Sequence, residues 1–233
     1  MSQNKLERFA QLETFSNVLQ FPAGMKGKWK DHFVNEQPIT LELACGKGEY
    51  AVGLGRLYPG RNFIGVDIKG NRIWVGARMA LQEGLNNVAF LRTQIDQLAE
   101  YFAPGEVSEL WITFPDPQLR FSKAKKRLTH PKFLRLYQQI LVPGGYIHLK
   151  TDSPDLYRFT KLVIDFYGCS LSDDNHHVFD GKEVKEELKI RTYYESLDIA
   201  GSSRIHYLRF SLPADLGGKE KDLAFKEKLR DYE

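Results

Sequence analysis

The chain has 233 residues and a formal net charge of +3, from 33 Lys and Arg against 30 Asp and Glu, so total charge alone does not argue for a polyanionic partner. Its length suits one α/β domain with extensions, able to bury roughly 70% of the surface that the unfolded chain exposes. Two cysteines, Cys45 and Cys169, far apart in apolar or glycine-rich settings, speak against a disulfide framework and for reduced thiols in a cytoplasm. No apolar h-region follows Met1 and no run of eighteen or more apolar residues occurs, so neither a secretory leader nor a membrane span is expected.

Residues 1–38 read as a helical and basic extension, with Lys26, Lys28 and Lys30 around Trp29. Ile39-Thr40-Leu41-Glu42-Leu43 predicts a first strand, Ala44 to Gly48 a glycine-bearing loop, and Glu49 to Leu57 a helix. Asn62 to Val66 predicts a second strand that ends at Asp67. Ile73, Ala77, Ala80 and Leu81 keep helical spacing over 71–82, and Gly84 stands where a C-terminal cap belongs. Val88 to Leu91 predicts a third strand, Ile95 to Phe102 a short helix and Glu109 to Phe114 a fourth strand. Pro131 opens a helix with Phe133, Leu134, Tyr137, Ile140 and Leu141 on one face, ended by Gly144-Gly145. Tyr146 to Lys150 is a fifth strand, Asp155 to Phe166 a helix and Arg204 to Leu212 a late strand; residues 214–233 form a charged tail that reads as a surface helix or a frayed end. Strands alternating with helices imply right-handed crossovers and a doubly wound parallel sheet, with ligands at the carboxyl ends of the strands.

The informative residues fall at those ends. The first strand runs into Glu42, Gly46 and Gly48, the second into Asp67, the fourth into Asp116 and the fifth into Thr151-Asp152. Gly46-Lys47-Gly48 lacks the three-glycine spacing of dinucleotide sites, which disfavours a nicotinamide cofactor. Glycine lets backbone N–H groups approach a ligand, Asp67 can accept from ribose hydroxyls, and Glu42 suits a ligand ammonium that a pyrophosphate would not supply. Ribose, ammonium and carboxylate together describe S-adenosyl-L-methionine. A bare strand-to-helix turn and an Asp67 helix cap are the alternative readings.

Phe114-Pro115-Asp116-Pro117 pins a carboxylate between prolines at a strand end, which aims it into a cleft. From Pro117 to Thr151 there is no Asp or Glu, whereas Arg120, Lys123, Lys125, Lys126, Arg127, Lys132, Arg135 and Lys150 are basic. One acid beside a cationic field points to nucleic-acid chemistry; an ordinary turn beside a solvated face is the alternative. His176 and His177 are adjacent, so they diverge on either a strand or a helix, and no Cys or His cluster has metal-ligand spacing; no metal is expected. Trp29, Trp74 and Trp111 lie in apolar-periodic segments and read as packing residues.

On Glu42 to Glu49, Gly65-Val66-Asp67-Ile68, Phe114 to Pro117, Thr151-Asp152 and Thr192-Tyr193-Tyr194-Glu195 ahead of Gly201, the chain resembles the bacterial tRNA (guanine(46)-N7)-methyltransferases. The likeness spans roughly Ile39 to Leu212. It implies a class I, Rossmann-like methyltransferase domain over 39–213, with a mostly parallel seven-stranded sheet and helices on both faces. The cofactor would be S-adenosyl-L-methionine, leaving S-adenosyl-L-homocysteine, and the partner tRNA, with the protein a cytoplasmic monomer or homodimer. The family's cofactor positions correspond to Glu42, Asp67, Gln94 and Asp116, beside Gly46 and Gly48. Its RNA-side positions correspond to Arg120, Asp152 and Thr192 through Glu195, and its RNA-contacting loop to Lys123, Lys125, Lys126 and Arg127. Asp116 is the expected catalytic residue. The chain departs from the family at Ala44, where glycine is common; at Gln94, where an Asp usually faces adenine and for which Asp96 is a rival; at Gln118, where Trp is usual; and at Arg120-Phe121-Ser122. Two other readings are a class I methyltransferase acting on a protein or small molecule, and an RNA-binding module that has lost catalysis.

Overall fold

Ile39–Leu43 is buried at every position, and a strand with no exposed face belongs in the middle of a parallel sheet. The computed structural model describes residues 3–180, 183–197, 199, 201 and 203–232. Among them this strand is the second of eight: β1 (Val18–Gln20), β2 (Ile39–Leu43), β3 (Asn62–Asp67), β4 (Val88–Arg92), β5 (Val107–Thr113), β6 (Leu141–Thr151), β7 (Ser170–Asn175) and β8 (His206–Ser211). The helices are α1 (Gln3–Leu12), α2 (Trp29–Phe33), α3 (Glu49–Leu57), α4 (Gly70–Gln82), α5 (Leu98–Tyr101), α6 (Pro131–Gln138), α7 (Pro154–Tyr167), α8 (Glu186–Lys189) and α9 (Lys219–Tyr232).

Across the sheet the order is β1-β4-β3-β2-β5-β6-β8-β7. The strands run parallel from β1 to β6, and β8 lies antiparallel to both β6 and β7. The expected doubly wound, mostly parallel sheet is therefore present, with eight strands in place of seven. The chain winds outward from β2 in one direction and from β5 in the other, so the switch point lies between them and a crevice opens beyond their carboxyl ends. One layer of the core joins the sheet to α3 and α4 through Tyr50, Phe63, Ile73 and Phe90. The other joins it to α6, α7 and α9 through Leu134, Tyr137, Phe159 and Phe225.

Several boundaries differ from expectation. The helix after Pro131 stops at Gln138, and Leu141 already pairs with Val107 at the start of β6. Leu141 is buried in either setting, so apolar periodicity could not separate the two. β7 carries a single apolar residue and sits at a sheet edge, where one side of the strand meets solvent and the demand for apolar residues is weak. β1 lengthens the opposite edge through three residues paired with Phe90, Leu91 and Arg92. Trp29 and Trp111 are buried in the core, and Trp74 is half-buried between the guanidinium groups of Arg8 and Arg78.

The charged C-terminal segment is a docked helix. Phe225 and Leu229, one turn apart, are both buried, and the Phe225 ring lies 5.3 Å from Phe166 and 5.4 Å from Tyr167. Asp222 accepts hydrogen bonds from Tyr167 Oη (2.7 Å) and the Arg135 guanidinium (2.9 Å).

Candidate active site

The loop after β2 folds back sharply because Ala44, Gly46 and Gly48 all adopt left-handed backbone, at φ 54°, 56° and 70°. Alanine at the first of these positions costs about 1–2 kcal/mol that glycine would not. Gly48 is dictated by space as well as φ, since a Cβ there would lie 2.3 Å from the Phe90 ring. Asp67, at the end of β3, clamps this turn: Oδ2 accepts from Gly46 N (3.0 Å) and Oδ1 from Lys69 N (2.8 Å). It does not cap α4, whose preceding residue is Lys69 and which has no side-chain cap, so the helix-cap reading of Asp67 falls away. Each carboxylate oxygen can accept a second bond, which leaves room for ribose hydroxyls.

Glu42 is buried beneath the loop. Its carboxyl accepts from Ala51 N (2.8 Å) and from Thr113 Oγ1 (2.9 Å), which ties β2 and the start of α3 to β5. Burial raises its pKa to about 8, against the pull of those two hydrogen bonds, and nearby Glu49 and Asp67 push in the same direction as burial. A buried carboxyl in this state gains from a cation placed against it, and the ammonium of S-adenosyl-L-methionine is such a cation.

Beside the loop lies a cleft of about 420 Å³. Asp67, Ile68, Gln94 and Ile95 line it together with Lys125, Lys126 and Lys132. Ile68 and Ile95 give this cleft an apolar part, beside the Gln94 amide. Asp96, the alternative to Gln94, is paired with Lys132 at 2.5 Å. Asp67 brings a carboxylate to this cleft and Gln94 an amide beside two isoleucines, while Glu42 lies buried outside its lining, beneath the loop; this donor chemistry is compatible with S-adenosyl-L-methionine.

Asp116 is exposed at the rim beyond β5, next in the sheet to the Glu42 strand. Phe114 at φ 46° and Gln118 at φ 48° bend the chain on either side, and Asp116 Oδ1 accepts from Gln118 N (3.0 Å). Arg120 is exposed as the chain enters a short helical turn, Phe121–Lys126, that presents Lys123, Lys125 and Lys126 to solvent. Arg127, expected in the RNA-contacting set, differs from them: it is 3% exposed, donates to the carbonyls of Gln118 and Leu119 (both 3.2 Å), and lies over the Phe159 ring at 4.5 Å. It is a strut that holds the Asp116 loop.

The expected substrate-side segment folds across the same ground. Thr192 is buried and its Oγ1 accepts from Glu195 N (3.1 Å). Lys47 Nζ sits 3.3 Å above the centre of the Tyr193 ring, and the Tyr194 ring packs against Gly46. Asp152 is half-buried directly after Thr151, whose hydroxyl accepts from Ser153 N (3.1 Å). The structure thus gathers Glu42, Gly46, Gly48, Asp67, Asp116, Asp152 and Thr192 through Glu195 around the carboxyl ends of β2, β3, β5 and β6. Gln94 and the lysine-bearing turn form the adjoining cleft.

What holds that gathering together is Lys150, which sequence reasoning counted only as one cation in a basic run. Its side chain is fully buried, and its ammonium donates to Leu188 O (3.0 Å), Ile190 O (2.9 Å) and Glu195 Oε2 (2.9 Å). Its own backbone carbonyl accepts from Phe114 N (2.8 Å). Burial lowers the Lys150 pKa and Glu195 pulls it back up. The available signal was position: Lys150 ends the apolar strand Tyr146-Ile147-His148-Leu149, where an unpaired ammonium could not survive. Among the described residues no group of three or more His, Cys, Asp or Glu is placed to hold a metal. No helix among them is long and apolar enough to cross a membrane.

The architecture is that of the class I methyltransferases: the 16S rRNA methyltransferase KamB superposes with a TM-score of 0.61 at 16% identity, over 84% of this chain and 99% of that one. A family model described as "Putative methyltransferase" matches residues 36–197. The tRNA (guanine-N(7)-)-methyltransferase of Bacteroides fragilis is 44% identical over 100% of this chain and 95% of its own, and that of Porphyromonas gingivalis is 46% identical over 95% and 96%. The chain belongs to this methyltransferase family.

Two outcomes test the site. Lys150→Met leaves the nearly buried Glu195 carboxylate without its cation and should cost about 3–5 kcal/mol in denaturant unfolding. Adding Glu195→Gln should recover part of that stability without recovering methyl transfer; wild-type stability for Lys150→Met alone would show that the ammonium anchors nothing. For Glu42, the raised folded-state pKa means that between the unfolded value of 4.5 and about 8 the folded protein keeps a proton that the unfolded chain has released. Its contribution to stability therefore declines as pH rises through that window. Glu42→Gln removes this titration, so the midpoint of the variant relative to wild type should be higher at pH 8.5 than at pH 5.5. A pH-independent difference would contradict the burial effect.

Proposed function

We propose that this chain transfers the methyl group of S-adenosyl-L-methionine to N7 of a guanine in tRNA, at position 46, and releases S-adenosyl-L-homocysteine. The observation that carries the reading is one exposed carboxylate, Asp116, just past the carboxyl end of β5, whose sheet neighbour β2 carries Glu42, and a few residues ahead of a turn that offers Lys123, Lys125 and Lys126 to solvent. The names of the relatives point to the same acceptor. Residues 39–213 form the catalytic domain in this reading, with 1–38 and 214–233 as extensions.

When bound, S-adenosyl-L-methionine supplies an electrophilic methyl on a sulfonium. Guanine N7 carries a lone pair and no proton, so the protein need not provide a base to create the nucleophile. Positioning is the main demand, and alignment at near-attack distance can supply a large share of the rate. Asp116 is the catalytic residue: the purine becomes cationic as N7 is alkylated, and a carboxylate beside the ring stabilises that charge and can accept from N1–H and the exocyclic amine. Glu42, Asp67 and Gln94 bind the ammonium, ribose and adenine of the methyl donor, with Gly46 and Gly48 admitting it against the backbone. Asp152 and the Thr192–Glu195 segment hold the guanine, with Glu195 kept in place through Lys150. Arg120, Lys123, Lys125 and Lys126 meet phosphates. The site acts in the cytoplasm, where its RNA is found.

The test is methyl transfer from labelled S-adenosyl-L-methionine to unmodified tRNA, followed by digestion and identification of the nucleosides. The wild type should yield 7-methylguanosine. Asp116→Asn should lower turnover by about 10²–10³-fold while leaving the fold intact; undiminished turnover would remove Asp116 from the chemistry.

A further inference from the structure

A second concavity, larger than the methyl-donor cleft, lies on the α6 and α7 layer of the sheet. It encloses about 880 Å³ between the Asp116 loop, α7 and the end of α9. Its floor is Phe159 with the Arg127 guanidinium stacked on it. Because Arg127 binds the carbonyls of Gln118 and Leu119, the loop is held so that Leu119 and Phe121 project outward. Leu119 is 60% exposed and Phe121 37%. Two large apolar side chains standing in water three and five residues after the catalytic acid call for a ligand rather than a packing explanation.

The opposite walls are basic. Arg158 on α7 and Arg230 on α9 are exposed and both line the groove, and its one acid, Asp155, pairs with Arg158. Arg230 is brought there by the docking of α9 through Phe225 and Leu229. Two exposed arginines against one aspartate, with two phenylalanine rings and a leucine in the same lining, suit a polyanion that carries flat bases. Arginine takes phosphate oxygens bidentately, and an exposed aromatic ring stacks bases with little regard to sequence. Such a surface is poorly matched to an acidic peptide, which has no bases to cover Phe121.

We propose that this groove seats the tRNA strand flanking the target guanine, with a neighbouring base stacked on Phe121 and Leu119 and its phosphates on Arg158 and Arg230. The inference rests on the tRNA reading above and extends the RNA footprint from the lysine-bearing turn across α7 to the C-terminal helix. It also gives the C-terminal helix a part in substrate binding.

The experiment compares four full-length proteins for tRNA affinity between 50 and 300 mM salt and for binding of S-adenosyl-L-methionine. Arg158→Gln/Arg230→Gln should weaken tRNA binding by about tenfold or more and flatten the slope of log affinity against log salt by about 1–2, with binding of the methyl donor intact. Phe121→Ala should weaken tRNA binding by about fivefold or more with the slope unchanged. Arg56→Gln/Arg78→Gln, which removes the same charge from α3 and α4 on the other layer, should leave affinity and slope near wild type. If the wild type binds and methylates tRNA while Arg158→Gln/Arg230→Gln and Phe121→Ala match it in affinity and slope, the groove proposal is overturned and the functional reading stands. If the wild type neither binds nor methylates tRNA, the functional reading fails and the groove proposal with it.

Discussion

The site depends on one buried cation. The Lys150 ammonium has three donors, and they are taken by two carbonyls and a carboxylate from a segment that arrives 38 to 45 residues later in the chain. Removing that charge from water is costly, and the cost is offset only while all three acceptors are in place. The interaction is therefore close to all-or-none. It draws 188–195 against the end of β6, and with it Thr192 to Glu195 over the glycine loop. Because the Lys150 carbonyl also receives Phe114 N, the same residue fixes the base of the Asp116 loop.

Around that anchor, the sheet performs the usual service of a doubly wound fold. Neighbouring parallel strands end side by side, so residues far apart in sequence meet without any loop having to be long. Glu42 and Thr113 show this directly, joined across the β2–β5 switch point by a 2.9 Å hydrogen bond. The pocket is then divided by charge. Asp67 lines it, with the Glu42 carboxyl buried beneath the neighbouring loop, and both favour a cationic ligand; the lysines that line it favour a polyanion. Lys125, Lys126 and Lys132 line the same cleft as Asp67 and Gln94, and the Lys132–Asp96 pair bridges the two sets.

Much of this was legible in the sequence because it is local. The prolines around Asp116 act on their own and adjacent residues, and glycines in a strand-to-helix loop state their backbone need wherever they occur. What was not legible depends on partners distant in the chain. Lys150 and Arg127 look like the other cations of their run, and only the arrival of 188–195, or the return of the chain past Gln118 and Leu119, buries them. The single apolar residue of β7 gives no alternation to read, and Leu141 is as apolar in a strand as it would be in a helix. Phe225 and Leu229 stand among charged residues and beside the exposed Leu223, so docking of the segment is not evident until Phe166 and Tyr167 are seen opposite them.

The central claim is that the protein aligns a guanine N7 lone pair with a methyl donor and stabilises the cation that results. A tRNA with 7-deazaguanine at position 46 keeps the shape and the pairing face of the base but has a C–H group in place of N7. The measurement is its binding and its methyl uptake beside unmodified tRNA. The account predicts equal binding and no incorporated methyl; methyl uptake equal to that of unmodified tRNA would contradict it and place the acceptor atom elsewhere.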